Sequence, residues 1–316
     1  MKYYAPSYYP LFSCIAGKCR HSCCAGWEID IDEESLARYQ AMEGPTGDHL
    51  RQNIDLSGET ACFRLTEGER CPFLNGGGLC ELILAEGPDI LCQICADHPR
   101  FRNFFSDREE IGLGMCCEAA GRLILTHSEP VQLIEVEDDG FEDEESEEEQ
   151  ALIALRAQLV ALMQDRTRPV AARVERMLTE AKIDLQINFA HWKEFLLTLE
   201  RLDDRWAQAL EALDNAPAEL SPLPPSVEWE IAFEQLAVYL IYRHLPAALT
   251  DGDVTGRIAC VALILALLHR LCEAHAARYG RIEMDDLVEF CRQYSSEIEY
   301  SDVNMDALLD ELRQII

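Results

Sequence analysis

A chain of 316 residues, 48% of them apolar, is long enough to bury a sizeable core and is expected to form two domains. Its 27 basic residues stand against 58 acidic ones, and a formal charge of −31 repels phosphate backbones and anionic lipid heads. Nucleic acid and membrane surfaces are thereby set aside as partners, and a cationic protein segment is left as a secondary attraction.

The opening stretch, MKYYAPSYYP, has one lysine and no continuous apolar run, so it does not read as a secretory signal and a cytoplasmic setting is expected. Tyr3, Tyr4, Tyr8 and Tyr9 read as aromatics packed against a core. From Cys14 to Cys24 the chain runs CIAGKCRHSCC, four thiols in eleven residues, and Cys62, Cys71, Cys80, Cys92, Cys95, Cys116 and Cys117 follow. In a reducing compartment, thiols at this density point to metal binding in preference to disulfides.

Trp27, Ile29 and Ile31 alternate with acids as in a short half-buried strand. Asp32 is placed to cap a helix through about Met42, with Glu33 and Glu34 in its first turn and Gly44-Pro45 ending it. From Gly58 to Gly87 the chain is loop-rich. The triple glycine Gly76-Gly77-Gly78 lacks the Lys-Ser/Thr and the preceding strand of a phosphate loop, so it reads as tight backbone that brings Cys71 and Cys80 to a shared centre. Only Cys92 and Cys95 have the C-x2-C spacing of a zinc knuckle, while Cys23-Cys24 and Cys116-Cys117 are adjacent. Adjacent thiolates suit different irons of a cluster better than one tetrahedral ion, although a binuclear zinc site with bridging thiolates uses the same spacing.

The run F-x-C-x4-C-x3-C-C-x-G-W-x-I-x-I-D (Phe12 to Asp32), then CPFLNGGGLC (Cys71 to Cys80), L-C-x-x-C-x-x-H-P-R (Leu91 to Arg100) and CCEAA (Cys116 to Ala120) resembles the flagellin lysine-N-methylase family. The resemblance covers about residues 1–130. It implies an S-adenosylmethionine-dependent methyltransferase that modifies lysines of a flagellin-like protein and carries a [4Fe-4S] cluster, with zinc as the alternative metal. By motif it carries over Cys14, Cys19, Cys23, Cys24, Cys71, Cys80, Cys95 and Cys116 as metal ligands. Two positions depart from the family pattern: Cys117 stands where a proline is usual, and His98 where a tyrosine is.

No G-x-G-x-x-G marks a Rossmann-type cofactor site, and Gly26 stands where a radical C-x3-C-x2-C motif needs its third cysteine. Methyl transfer to an amine is an in-line polar displacement that requires a neutral lysine, whose ammonium, with a pKa of about 10.4, must first lose a proton. Tyr8, Tyr9, Asp97, His98 and Glu118, each in or beside a cysteine motif, are the acid–base candidates.

The acidic tract Val131 to Glu149 reads as a solvated linker. Beyond it, apolar residues recur at helical spacing at Leu152 to Leu162, Phe189 to Leu199 and Trp206 to Leu213. A proline-rich break covers Ala216 to Ser226, and further helices are expected over Trp229 to Leu245, Val254 to Tyr279, Met284 to Tyr294 and Met305 to Ile315. Within the second of these, Ile258 to Leu268 is the longest apolar run, about half of a bilayer span, and reads as a buried central helix. Cys260, Cys272 and Cys291 fall inside these stretches as small core residues. The expected fold is mainly α: a loop-rich, metal-binding amino-terminal region (1–130), an acidic linker (131–149) and an irregular helical bundle (150–316). A non-catalytic metal-binding module or adaptor is the competing function.

Overall fold

A computed structural model describes residues 1–141, 146–215 and 226–316. The acids Glu142-Asp143-Glu144-Glu145 and the break with Pro217, Pro222, Pro224 and Pro225 lie outside the described residues. The chain is mainly α and divides into two compact units, Ser13–Arg100 and Met1–Phe12 with Phe101–Ile316. The boundary expected near residue 130 therefore falls inside the second unit.

The chain begins with strand β1 (Lys2–Pro6), part of the larger unit. The smaller unit then builds helices α1 (Glu33–Ala41) and α2 (Gly44–Gln52), the two-residue strands β2 (Ile54–Asp55) and β3 (Cys62–Phe63), and the short helices α3 (Glu81–Glu86) and α4 (Gln93–Asp97). The Trp27–Asp32 segment pairs with the chain around β3: Phe63 N donates to Ile29 O at 3.0 Å and Ile31 N to Ala61 O at 2.7 Å. Ile29 and Ile31 are buried with Tyr39, Leu50, Phe63 and Phe73, which gives this unit a core of its own. Gly44-Pro45 does not simply end a helix. It opens α2, because proline is tolerated in a first helical turn, where its missing N–H has no partner to lose.

In the larger unit, β4 (Arg100–Phe104), β5 (Arg108–Leu113) and β6 (Leu133–Asp138) join β1 in a four-stranded sheet of order β4-β5-β1-β6. Lys2 pairs with Arg108 in the parallel ladder to β5, and Lys2 with Asp138 and Pro6 with Leu133 in the antiparallel ladder to β6. Within the linker expected over 131–149, residues 133–138 are thus corrected to an edge strand. Glu135, Glu137 and Asp138 of that strand stay in solvent while its backbone completes a ladder, and composition reports only the first of these. The same tract closes in helix α6 (Glu147–Met163), where Ser146 and Glu149 form a capping box.

Between β5 and β6 lies α5 (Glu118–Leu125), and after α6 come α7 (Val170–Ala181), α8 (Phe189–Leu196), α9 (Asp204–Glu211), α10 (Val227–His244), α11 (Ala248–Asp251), α12 (Val254–Tyr279), α13 (Met284–Tyr294) and α14 (Asp302–Arg313). Among the described residues α12 is the one helix long and apolar enough to cross a membrane, and here it is the buried centre of the bundle. Cys260, Cys272 and Cys291 are buried in this core, as expected. Helix α7, absent from the expected set, is fixed by its buried Arg173, which donates to Glu234 Oε2 at 2.8 Å.

Candidate functional site

Backbone contacts tie the cysteine segments of the smaller unit together. Cys71 N donates to Cys24 O at 2.8 Å, joining the first cysteine run to the CPFLNGGGLC loop. Inside that loop Asn75 Oδ1 accepts from Gly77 N at 2.9 Å and Leu79 N at 3.1 Å. The glycines permit close approach of two backbones, since a Cβ on Gly17 would stand 3.0 Å from Gly77 O. Asp32 acts twice: Oδ1 accepts from Ser35 N at the start of α1, and Oδ2 from Gln93 N at the start of α4, both at 2.8 Å. The helix that carries Cys95 is thereby pinned to the helix that follows the first cysteine run.

The thiols sense one another. Burial pushes Cys71 up to about 12, with Cys24, Cys80 and Cys92 adding to the rise. Cys95 is raised by its hydrogen bond to Cys92 and by burial, and Cys24 and Cys71 add to this. Burial also raises Cys80, with Cys24 beside it. In the opposite direction, hydrogen bonds from Cys23 and from Cys95 bring Cys24 and Cys92 down to about 7. Cys24, Cys71, Cys80, Cys92 and Cys95 therefore form one electrostatically connected set of soft sulfur donors. Cys92 belongs to it although the motif comparison left that residue out. Among the described residues, no three His, Cys, Asp or Glu side chains stand at metal-holding spacing.

Other candidates lie elsewhere. Cys14 is exposed and its Sγ accepts from Ala16 N at 3.4 Å, Cys19 Sγ donates to His21 O at 3.0 Å, and Cys23 is exposed. Asp97 ends α4, and His98 stacks on Trp27 with ring centres 6.2 Å apart. Burial, and then the charge of Arg100, lowers His98 to about 4, so it is neutral at pH 7. In the larger unit Tyr8 is buried edge-on to His127, Tyr9 packs against the core, and Glu118 opens α5. Burial raises Tyr8 far above the ordinary phenol range, which argues against a base role.

Cys116 also lies in the larger unit and leads into a buried polar network that the sequence reading missed. The thiol, raised to about 12 by burial, hydrogen-bonds Tyr300. Arg243 lies between the rings of Phe101 and Tyr300, 4.6 and 4.8 Å from their centres, and its Nη2 donates to Glu299 O at 3.2 Å. The Glu299 side chain is fully buried: Tyr239 OH donates to Oε2 at 2.6 Å, His244 Nε2 lies 2.8 Å from Oε1, and Arg243 Nε is 3.6 Å from Oε2. Burial alone would raise this carboxyl, but the charge of Arg243 and the hydrogen bond to His244 hold it down at about 2. Burial in turn lowers His244, which leaves a neutral imidazole against an ionised carboxylate. Glu299 reaches this position from a single π-helical turn, Ser295–Glu299, a distortion frequent at functional sites. The available signal was Tyr239, Arg243 and His244 at i, i+4 and i+5 within the largely apolar second half of α10.

A family model described as the FliB lysine N-methylase C-terminal domain matches residues 101–315. The Lysine-N-methylases of Salmonella typhimurium and Salmonella choleraesuis are each 27% identical over 139 residues, which cover 41% of this chain and 34% of theirs. The match therefore spans about a third of the length of those two relatives. Flagellar biosynthetic protein FliU of Salmonella muenchen is 26% identical over 134 residues, 40% of this chain and 79% of that one. No solved structure matches.

Proposed function

Because this chain belongs to the FliB lysine N-methylase family, we propose that it is an S-adenosylmethionine-dependent protein-lysine N-methyltransferase for a flagellin-type substrate. The observation that carries this reading is the family match over residues 101–315, the stretch that also holds the buried Glu299 network. S-adenosylmethionine would supply the methyl group as a sulfonium open to in-line attack. The protein's part is to gather the cationic lysine, neutralise its amine and hold it away from water. A surface carrying a net charge of −31 favours the first step. For holding the amine once it has lost its proton, Tyr300 is the member of the network that reaches the surface, in contact with Arg243 and Cys116. Its phenol is raised above the ordinary range by burial, so it stays protonated and offers an oxygen lone pair to orient an amine.

The sulfur donors of the smaller unit fit a thiolate-bound centre by their chemistry. Cys24, Cys71, Cys80 and Cys95 would hold an iron–sulfur cluster, or zinc, with Cys92 beside them and Cys14, Cys19, Cys23 and Cys116 as the remaining candidates. Bound there, the centre would supply a rigid inorganic cross-link between loops that have little regular structure. A non-catalytic metal module is the second reading. It is favoured by one observation, that Cys24, Cys71, Cys80, Cys92 and Cys95 all belong to or pack on a core confined to residues 13–100.

The test uses anaerobically purified protein, iron and sulfide analysis, and labelled S-adenosylmethionine with a flagellin. Label on lysine, with mass rising in single-methyl steps, is expected. Protein that holds metal but neither binds S-adenosylmethionine in calorimetry nor transfers label would establish the second reading instead.

A further inference from the structure

Strand β6 ends the four-stranded sheet. Its ladder partner is β1, and among the described residues no strand pairs with its other side. Alternate residues of an antiparallel edge turn their N–H and C=O groups outward, where a further strand can take them up. Glu135, Val136, Glu137 and Asp138 are exposed and Ile134 is half-buried. Leu133 and Val136 expose 39% and 40% of their surface among these acids.

We propose that the free edge of β6 is a docking strand for an extended, lysine-bearing segment of a partner polypeptide. Charge selects this occupant. A second copy of the same chain would bring another acidic edge onto this one, and like charges directly opposite each other are destabilising. A lysine-bearing strand instead places ammonium heads beside Asp138 on one face of the edge, with a methylene stem along Leu133, or beside Glu137 on the other face, the ladder slipping by one residue at Val136 between them. The sheet already contains this pairing on its inner side, where Lys2 Nζ of β1 stands 3.2 Å from Glu135 Oε2. Strand addition gives affinity through the main chain and specificity through alternate side chains, which suits a protein that must bring lysines of an exposed segment to one place. The inference deepens the methyltransferase reading, and it rests on that reading only for the partner's identity as substrate.

The experiment measures binding of a fluorescent peptide of alternating lysine and threonine to the full chain by anisotropy. Three comparisons accompany it: the same peptide with its lysines acetylated, the same peptide with alternate backbone nitrogens methylated, and a Glu137→Lys/Asp138→Lys protein that leaves the Lys2–Glu135 pair intact. Each change is expected to weaken binding about tenfold or more, while far-UV circular dichroism and melting of the variant match the wild type. Binding that ignores the charge reversal overturns the proposed site. Binding that responds to charge but not to backbone methylation reduces it to diffuse attraction and overturns strand addition. Label transfer to intact flagellin is scored separately. Transfer with an indifferent β6 sinks only the docking strand, and peptide docking on β6 without transfer sinks only the methyltransferase.

Discussion

Replacing Glu299 by Gln keeps the shape of the side chain and removes the charge on which the buried network turns. In the wild type one carboxylate serves Tyr239 at 2.6 Å, His244 at 2.8 Å and the Arg243 guanidinium at 3.6 Å, with no solvent to substitute for any of them. Removing one partner of a buried ion pair costs about 3–5 kcal/mol, because the other charge stays buried without compensation. In a unit of this size that corresponds to a melting point lower by roughly 6–20 °C. The pH dependence follows from the sign of the shift. Glu299 sits at about 2 when folded against 4.5 when unfolded, so its contribution is present above pH 4.5 and is lost as pH falls from 4.5 toward 2. The gap between wild type and Glu299→Gln should therefore be full at pH 7 and shrink by about 2 kcal/mol between pH 4.5 and pH 3. Differential scanning calorimetry from pH 7 to pH 3 reads both effects, and adding Arg243→Met to Glu299→Gln should restore part of the loss. A variant that melts within about 2 °C of wild type at pH 7, or a gap indifferent to acid, would refute the reasoning.

Three further outcomes are expected. A Cβ on Gly112 would meet the Phe101 ring at 2.1 Å, so Gly112→Ala should displace the ring that covers Arg243 and destabilise by about 1–3 kcal/mol in urea unfolding. Asp32→Ala removes the acceptors at the starts of α1 and α4 together, for about 1–2 kcal/mol, and should speed alkylation of Cys95, whereas Asp32→Asn, with one acceptor oxygen in place of two, should retain only one of the two bonds. His98 is at about 4 when folded against 6.5 unfolded, so the smaller unit should lose stability as pH falls from 6.5 toward 4, by about 1–2 kcal/mol after discounting for partial exposure. His98→Gln should flatten that slope in unfolding followed by the fluorescence of Trp27.

Long-period features were legible in the sequence and long-range ones were not. Helices α12 and α13 begin and end where their apolar spacing begins and ends, and Asp32 caps α1 as its position before Glu33 and Glu34 predicts. The sheet was invisible because β1 finds its parallel partner across the whole smaller unit, and five residues such as KYYAP carry no sign of that partner. At β6 the acids outweighed the short apolar alternation in the reading, although a strand at a sheet edge needs only its backbone. Within the site, the cysteine segments announced themselves by residue type and spacing. Glu299 did not, because one acid among 58 has no local mark of burial, and its importance arises where a π turn sets it against the end of α10.

The position of β1 sets an order on synthesis. Residues 2–6 leave the ribosome before both of their neighbours in the sheet, β5 and β6, which emerge roughly a hundred residues later. The intervening segment with its own core can settle while the opening strand still waits, and during that interval an aromatic, unpaired ribbon is available to chaperones or to aggregation. Substitutions in β1 would act on the middle of a sheet, where both of its sides are paired.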